Sequence, residues 1–206
     1  VEWMGLRAAM LHDSGDIAAA EPAYLEANRL GEEVFEAGDT RLAYTRQSLA
    51  NLYYNAGRPA DAAPLYRLSL TAREAAFGPE DPATISALDG LAHALWAAKQ
   101  SEGAAALFER LLAYREKTAG ADAASVADVL RMIGWDADRE NRKADAEIAF
   151  KRVIEISEAK LGADSPYTAL DLIALGTLYS GQQRLDEARP LLVRGIGILE
   201  AVPETA

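Results

Sequence analysis

The feature of this chain that most constrains its fold is an internal repeat with a period of 42 residues. Similar linkers begin at Gly78, Gly120 and Gly162, with no insertion between the copies. At this period one position always holds alanine, and the position four residues later holds a bulky side chain. The pairs are Ala20 and Tyr24, Ala62 and Tyr66, Ala104 and Phe108, Ala146 and Phe150, and Ala188 and Leu192. Such a period indicates supersecondary units that bury their apolar faces by stacking on one another.

Each repeat is predicted to consist of two antiparallel helices, here called helix A and helix B. In the third repeat Leu88, Leu91 and Leu95 recur at three- and four-residue steps, which places them on one face of helix A. The small side chain of Ala104 permits helix B to approach this face closely, and Phe108 fills the space one turn later.

Glycines and N-cap residues mark the ends of these helices. The turn between helix A and helix B requires positive φ, and its position holds Gly15, Gly57, Lys99, Asn141 and Gln183. Glycine is suited to this conformation, asparagine tolerates it, and lysine and glutamine are less favourable there. Helix B is expected to end near Gly78 in a left-handed glycine cap, and Asp81-Pro82 is a typical start of the next helix A.

The order of conserved positions resembles the tetratricopeptide repeat. Leu175, Gly176 and Tyr179 match its Leu-Gly-x-x-Tyr element, and the alanine followed by a bulky residue matches its Ala-x-x-x-Phe element. The long unit and the segment Ala62-Ala63-Pro64-Leu65-Tyr66 resemble the kinesin light chain subtype. This resemblance implies an all-α, right-handed superhelical solenoid of about five antiparallel helix-turn-helix repeats. The predicted units are approximately 1–39, 40–81, 82–123, 124–165 and 166–206 of one array.

One departure limits the resemblance. The paired asparagines that the subtype carries on helix A are replaced, for example by Gln47-Ser48 and Asp89-Gly90, so its cargo specificity is not transferable.

Because the chain is cut near repeat edges, it is expected to be a segment of a larger protein. The last helix B is apolar at Leu191, Leu192, Ile196, Ile198 and Leu199. This uncapped repeat predicts self-association or a further helix after Ala206.

Composition argues against several classes of partner. The net charge of −11 repels a phosphate backbone, so no nucleic acid partner is expected. No apolar run approaches the roughly 18 residues of a membrane helix, so no membrane insertion is expected. The absence of cysteine fits a reducing compartment such as the cytoplasm. The excess of arginine over lysine and the many alanines are typical of a high-GC bacterium.

Signals for catalysis are sparse, and the chain is predicted not to be an enzyme. His12 and His93 belong to different repeats and are expected tens of ångströms apart, so they cannot share a metal. Gly195-Ile196-Gly197 lacks the strand and the other residues of a phosphate loop and is interpreted as a close helix contact. No cofactor is expected. Asp136 and Asp138 should point in different directions on their helix, which argues against paired acid/base carboxylates.

A regular column of glutamates, Glu32, Glu74, Glu116, Glu158 and Glu200, lies on helix B. Because Arg73 and Arg115 lie beside this column, it is interpreted as a solvated, charge-complemented face.

In tetratricopeptide repeat superhelices, the face of helix A that points away from helix B lines a concave groove. The resemblance implies the same groove in this chain. Mapped through the repeat, this predicted groove contains Tyr44, Gln47, Asn51, Tyr54, Asn55, Asp89, His93, Trp96, Asp128, Arg131, Trp135, Asp138 and Arg139. The aspartates make it acidic, whereas Arg131 and Arg139 could stack on Trp135 or capture a carboxylate of the partner. Trp96 and Trp135 are either groove anchors or core residues, and the polar members of their columns favour the groove.

The leading hypothesis is a scaffold that binds a peptide segment of a partner protein, with basic and apolar residues, in this groove. The alternative is a regulatory or sensor domain of a larger enzyme or signalling protein whose activity lies outside this segment.

Overall fold

The structure is a computed structural model that describes residues 2–36 and 38–201. Within these ranges it contains ten α-helices and no β-strand. The helices are α1 (Glu2–Asp13), α2 (Ile17–Val34), α3 (Thr40–Asn55), α4 (Pro59–Phe77), α5 (Pro82–Ala97), α6 (Ser101–Ala119), α7 (Ala124–Arg139), α8 (Lys143–Leu161), α9 (Pro166–Gly181) and α10 (Leu185–Glu200). The odd-numbered helices are helix A of each repeat, and the even-numbered helices are helix B. None of the helices in the described part of the chain is long and apolar enough to cross a membrane.

The helices follow the sequence period. Helices α3, α5, α7 and α9 begin at residues 40, 82, 124 and 166, and each is 16 residues long. The predicted all-α repeat fold is confirmed. The chain ends, residue 1 and residues 202–206, lie outside the described residues, as does the predicted helix after Ala206. The predicted grouping of all repeats into one domain and the cytoplasmic localisation stay predictions.

The turn between helix A and helix B has the predicted conformation in every repeat. Its five residues have φ values of 81° at Gly15, 73° at Gly57, 58° at Lys99, 60° at Asn141 and 62° at Gln183. Three repeats therefore place a side chain in the left-handed region, at a cost of about 1 kcal/mol for each residue.

The starts of the A helices also agree with the prediction. The side chains of Asp39, Asp81 and Ser165 accept a hydrogen bond from the backbone N–H two residues later, and each therefore caps the helix that follows. Ala123 occupies the same position before α7 and provides no side-chain cap.

The predicted left-handed cap at the end of helix B is wrong in one respect. Gly78 and Gly162 have φ of 88° and 96°, as expected, but their ψ values are 168° and 155°. This is an extended backbone conformation that essentially only glycine adopts. It turns the chain away from helix B directly into the linker.

The column of small residues lies where helices A and B meet. The alanines at 20, 62, 104, 146 and 188 are all buried. Gly134 on α7 faces Phe150 on α8, and a Cβ at position 134 would lie 2.6 Å from the Phe150 ring. Because this distance is far below van der Waals contact, even one methyl group would separate the two helices.

The chain forms two compact units, residues 1–107 and residues 108–206, called here the N-terminal unit and the C-terminal unit. Their boundary falls within α6. In the C-terminal unit, Phe150, Leu175 and Tyr179 pack together in a core that includes the small residues Ala146 and Ala188.

The interpretation of the glutamate column is correct about charge pairing but wrong about the arginines. Glu116 pairs with Arg152 at 2.6 Å, and Glu158 pairs with Arg194 at 2.7 Å, so each glutamate bonds to an arginine 36 residues later. Both arginines come from the following helix B rather than from a neighbouring turn of the same helix. These ion pairs therefore link successive repeats.

The two arginines expected to complement the glutamates contact backbone instead. Arg73 donates to the carbonyl oxygen of Ala83 at 2.6 Å, and Arg115 donates to that of Ser125 at 2.8 Å. Each acceptor lies ten residues after its arginine, near the start of the next helix A. Arg73 and Arg115 therefore tie helix B to the following repeat.

Candidate functional site

Side chains of α3 and α5 in the N-terminal unit surround an open polar cavity, here called the amide pocket. Its volume is about 430 Å³. It is lined by His12, Gln47, Asn51, Tyr54, Asn55, Tyr66, Ser86, Asp89, Gly90 and His93. Six of the predicted groove residues therefore come together in one pocket: Gln47, Asn51, Tyr54, Asn55, Asp89 and His93.

Three amide side chains form one edge of the amide pocket. Gln47, Asn51 and Asn55 follow one another at four-residue steps on α3, so they share a face of the helix. The Gln47 Nε2 atom donates to Ser86 Oγ at 2.9 Å. Its Oε1 atom is buried and has no hydrogen-bond partner among the described residues. A buried acceptor left unpaired costs about 1–3 kcal/mol, which makes it a site that a ligand donor can satisfy.

Tyr66 closes the amide pocket from helix B. Its hydroxyl donates to Asn51 Oδ1 at 2.5 Å. The ring lies against α5 at Gly90, where a Cβ would overlap it. The pKa of Tyr66 is raised to about 12, mainly by burial, with smaller electrostatic contributions from Tyr54 and Asp89. The hydroxyl therefore stays protonated and remains a donor to Asn51.

The expected separation of the two histidines is wrong, because His12 and His93 line the same amide pocket. Helix α3 contacts both α1 and α5, so side chains from the outer two helices converge over it. His93 Nδ1 lies 3.0 Å from the backbone oxygen of Asp89 and 3.8 Å from its carboxylate. In the described part of the chain, no three His, Cys, Asp or Glu side chains are grouped so that they could hold a metal ion.

The C-terminal unit has a different cavity between α7 and α9, here called the aromatic pocket. Its volume is about 460 Å³. It is lined by Arg131, Trp135, Tyr167, Leu170, Asp171, Ile173, Ala174 and Thr177. Trp135 is 39% exposed, Leu170 is 55% exposed and Tyr167 is 64% exposed. The Trp135 ring packs edge-on against Phe150 at a centroid distance of 5.1 Å. Trp135 is therefore anchored at one edge and open to solvent at the other.

Arg131 is not available to a ligand in the way the sequence predicted. Its Nε and Nη2 atoms donate to the two carboxylate oxygens of Asp171, at 2.6 and 3.1 Å. Its Nη1 atom donates to Asp128 at 2.7 Å. These bonds raise the pKa of Arg131, Asp171 being the largest cause. No cation–π contact joins Arg131 to Trp135 among the described side chains.

The predicted acidity of the groove is also reduced by pairing within the protein. The Asp128 charge is balanced by Arg131, and Asp138 accepts a hydrogen bond from Lys143 at 2.5 Å. Arg139 bonds to Asp136, which is buried, whereas Asp138 is partly exposed. The prediction that Asp136 and Asp138 point in different directions agrees with this geometry.

Five predicted groove residues line neither pocket: Asp128, Asp138 and Arg139, which pair within the protein, and Tyr44 and Trp96. Tyr44 is exposed and lines a smaller cavity of about 310 Å³ together with Phe35 and Arg41. Trp96 is partly buried and is not among the described residues that line the amide pocket.

Sequence reasoning missed Tyr167, Leu170 and Asp171. Leu170 occupies the same repeat position as Tyr44 and Asp128, so extending the groove mapping into the fifth repeat would have found it. Asp171 gave no such signal, because its position holds threonine, alanine or valine in the earlier repeats.

A family model described as "Tetratricopeptide repeat" matches residues 49–117, 84–159 and 145–201. No curated protein sequence matches the chain.

Solved structures of similar fold include tetratricopeptide-like repeats of the kinesin light chain type from Podosopora anserina. That structure has a TM-score of 0.80 and 17% identity over 98% of this chain and 96% of the other. BtubC (BKLC) from P. vanneervenii has a TM-score of 0.76 and 22% identity over 100% and 83% of the two chains. YrrB, described as having an unusual peptide-binding site, has a TM-score of 0.66 and 17% identity over 94% and 84%. At these identities the likeness shows the fold alone.

Proposed function

The chain belongs to the tetratricopeptide repeat family, and from this premise we propose that it is a scaffold that binds a peptide segment of another protein. Peptide contacts are made by helix A side chains, in the aromatic pocket of the C-terminal unit and, separately, in the amide pocket of the N-terminal unit. The protein contributes recognition and no catalytic step.

The observation that carries this proposal is the exposed aromatic pocket. Tyr167 and Leu170 are more than half exposed, and Trp135 lies beside them with an open edge. Large flat side chains that stay in contact with water are typical of binding hot spots, because little conformational entropy is lost when they are covered. Core residues of this size would be buried, as Phe150 is.

The fold supports the same conclusion. The similar structure of YrrB is described as a tetratricopeptide repeat protein with a peptide-binding site. In the chain described here, both pockets are built mainly from helix A side chains, which leaves helix B to hold the repeats together. An apolar residue of an extended segment fits the aromatic pocket, and the polar groups of a peptide fit the amide side chains of the amide pocket.

The experiment is a selection of peptides from a phage-displayed random library against the whole chain, followed by calorimetric titration. Tyr167→Ala and Leu170→Ser should each weaken the binding of the selected peptides by about 1–2 kcal/mol. Because both side chains are exposed, neither substitution should disturb folding, which circular dichroism would confirm.

Trp3→Ala is the matched control for these variants. Trp3 is 82% exposed on α1 and lies outside both pockets. It should bind the selected peptides with unchanged affinity. A library that yields no binder, or binders that respond equally to Trp3→Ala and Tyr167→Ala, would overturn the proposed function.

A further inference from the structure

We propose that the amide pocket binds a cationic side chain, arginine or lysine, of the partner segment. This inference rests on the proposed function, since it assigns one residue class of the bound peptide to one pocket.

The first argument is the supply of hydrogen-bond acceptors. Gln47 Oε1 is buried and has no partner among the described residues. Asn51 Oδ1 accepts one hydrogen bond, from Tyr66, and an amide oxygen has two lone pairs. A guanidinium or ammonium group carries only donors, so it satisfies both oxygens without adding an unpaired acceptor.

The second argument is charge. Asp89 is the only carboxylate among the described residues that line the amide pocket, and none of them is a lysine or an arginine. The chain as a whole carries a net charge of −11, which attracts cations to its surface.

The environment of Tyr66 supports this assignment. The negative charge of Asp89 contributes to the raised pKa of Tyr66, so this charge acts at the Tyr66 hydroxyl inside the pocket. The same charge favours a bound cation. The rings of Tyr54 and Tyr66 add aromatic surfaces over which a cation is attracted.

The size of the pocket agrees with this ligand. A volume of about 430 Å³ accommodates an extended arginine side chain together with part of the peptide backbone. Asn55, at the exposed end of the row of amides, can bond to that backbone.

The test uses pairs of library-selected peptides in which each arginine is replaced by citrulline, which has nearly the same shape but no charge. Citrulline should weaken binding to the whole chain by about tenfold or more, because it removes a charge-assisted contact with Asp89. On the Asp89→Asn variant the same replacement should change affinity by less than about threefold. Gln47→Leu, which removes the unpaired oxygen, should reduce the arginine preference without changing the net charge.

Asp128→Asn is the matched control, since it makes the same change of charge outside the amide pocket. It should keep the full preference for arginine over citrulline. Circular dichroism of each variant establishes that it is folded. Selected peptides without arginine or lysine, or an equal citrulline effect on Asp89→Asn and on the unmodified chain, would overturn the inference. Selected peptides without arginine or lysine would still support the proposed function. A library that yields no binder would contradict both the inference and the proposed function.

Discussion

Asp171 on α9 accepts two hydrogen bonds from the guanidinium of Arg131 on α7, at 2.6 and 3.1 Å, although its own side chain is only 3% exposed. Ser157 donates a third bond to the same carboxylate at 2.6 Å. At the repeat position of Asp171, two other repeats carry Ala87 and Val129. One repeat junction therefore replaces an apolar contact by a buried ion pair.

The first prediction concerns the stability of this pair. Asp171→Val should destabilise the protein by about 3 kcal/mol, because it leaves the charge of Arg131 partly buried without its main partner. In the double variant Asp171→Val and Arg131→Ile, each new residue is one that another repeat carries at the same position. Val129 corresponds to position 171, and Ile173 corresponds to position 131. It should regain most of the loss, since well-packed apolar residues often replace a buried ion pair without loss of stability. Urea unfolding of the three proteins measures both steps, and a double variant as unstable as the single one would contradict the prediction.

A second prediction concerns a buried hydroxyl in the N-terminal unit. Thr84 is fully buried, and its Oγ1 atom has no hydrogen-bond partner among the described residues. Val126 stands at the same position one repeat later. Thr84→Val should therefore stabilise the protein by about 1 kcal/mol, because it removes an unsatisfied polar group and keeps the side-chain shape.

The repeat supplies a control for this change. Thr168 occupies the same position as Thr84, two repeats later, but its hydroxyl donates to the backbone oxygen of Gly162 at 2.9 Å. Thr168→Val should lower the free energy of unfolding by about 1 kcal/mol. Thermal unfolding should give shifts of opposite sign for the two variants. Equal shifts would show that the Thr84 hydroxyl has a partner after all.

The sequence predicted the fold well, because each buried position recurs in the same environment in every repeat. The turn at Lys99 and Gln183 illustrates this, since glycine in the first two repeats identified a positive φ that lysine and glutamine do not indicate by themselves. The period transfers a backbone conformation from one repeat to the next. It therefore predicts, with little ambiguity, the helices and turns and the residues that share one repeat position.

The candidate site was less predictable, because pairing depends on side chains that differ between repeats. Arg131 lay in the predicted groove, but its partner Asp171 stands in a column that otherwise indicates core. The meeting of His12 and His93 in one pocket depends on how α1, α3 and α5 pack, which spacing along the chain does not give. The residues that share a repeat position could be predicted from the sequence. The contacts between side chains at different repeat positions required the structure.

The third prediction is a dependence of stability on pH. Glu147 accepts hydrogen bonds from Arg184, Lys151 and Tyr179, and these donors hold the pKa of Glu147 at about 2. In the unfolded chain a glutamate has a pKa of about 4.3. Because the folded-state value is lowered, the stabilisation is complete above about pH 5 and is lost as the pH falls toward 2.

Glu147→Gln should therefore lower the free energy of unfolding by about 1–3 kcal/mol near neutral pH. The difference between this variant and the unmodified protein should shrink at about pH 3, where the unfolded chain is already protonated. Urea unfolding at the two pH values measures it. A difference that stays constant with pH would show that the carboxylate charge is not what stabilises this junction.

The last prediction distinguishes a binding role from a core role for the tryptophans. The chain has three tryptophans, of which Trp135 is 39% exposed and lies in the aromatic pocket. In the variant with Trp3→Phe and Trp96→Phe, Trp135 is the sole tryptophan fluorophore. Binding of a selected peptide should reduce quenching of Trp135 by acrylamide roughly twofold or more, since a central anchor loses its contact with water when the ligand binds. In the variant that keeps only Trp96, the partly buried ring should be quenched less in the free protein and should respond less to the peptide. Quenching of Trp135 that is unaffected by a bound peptide would place the ligand elsewhere, and Trp135 would then be a residue that completes the packing around Phe150.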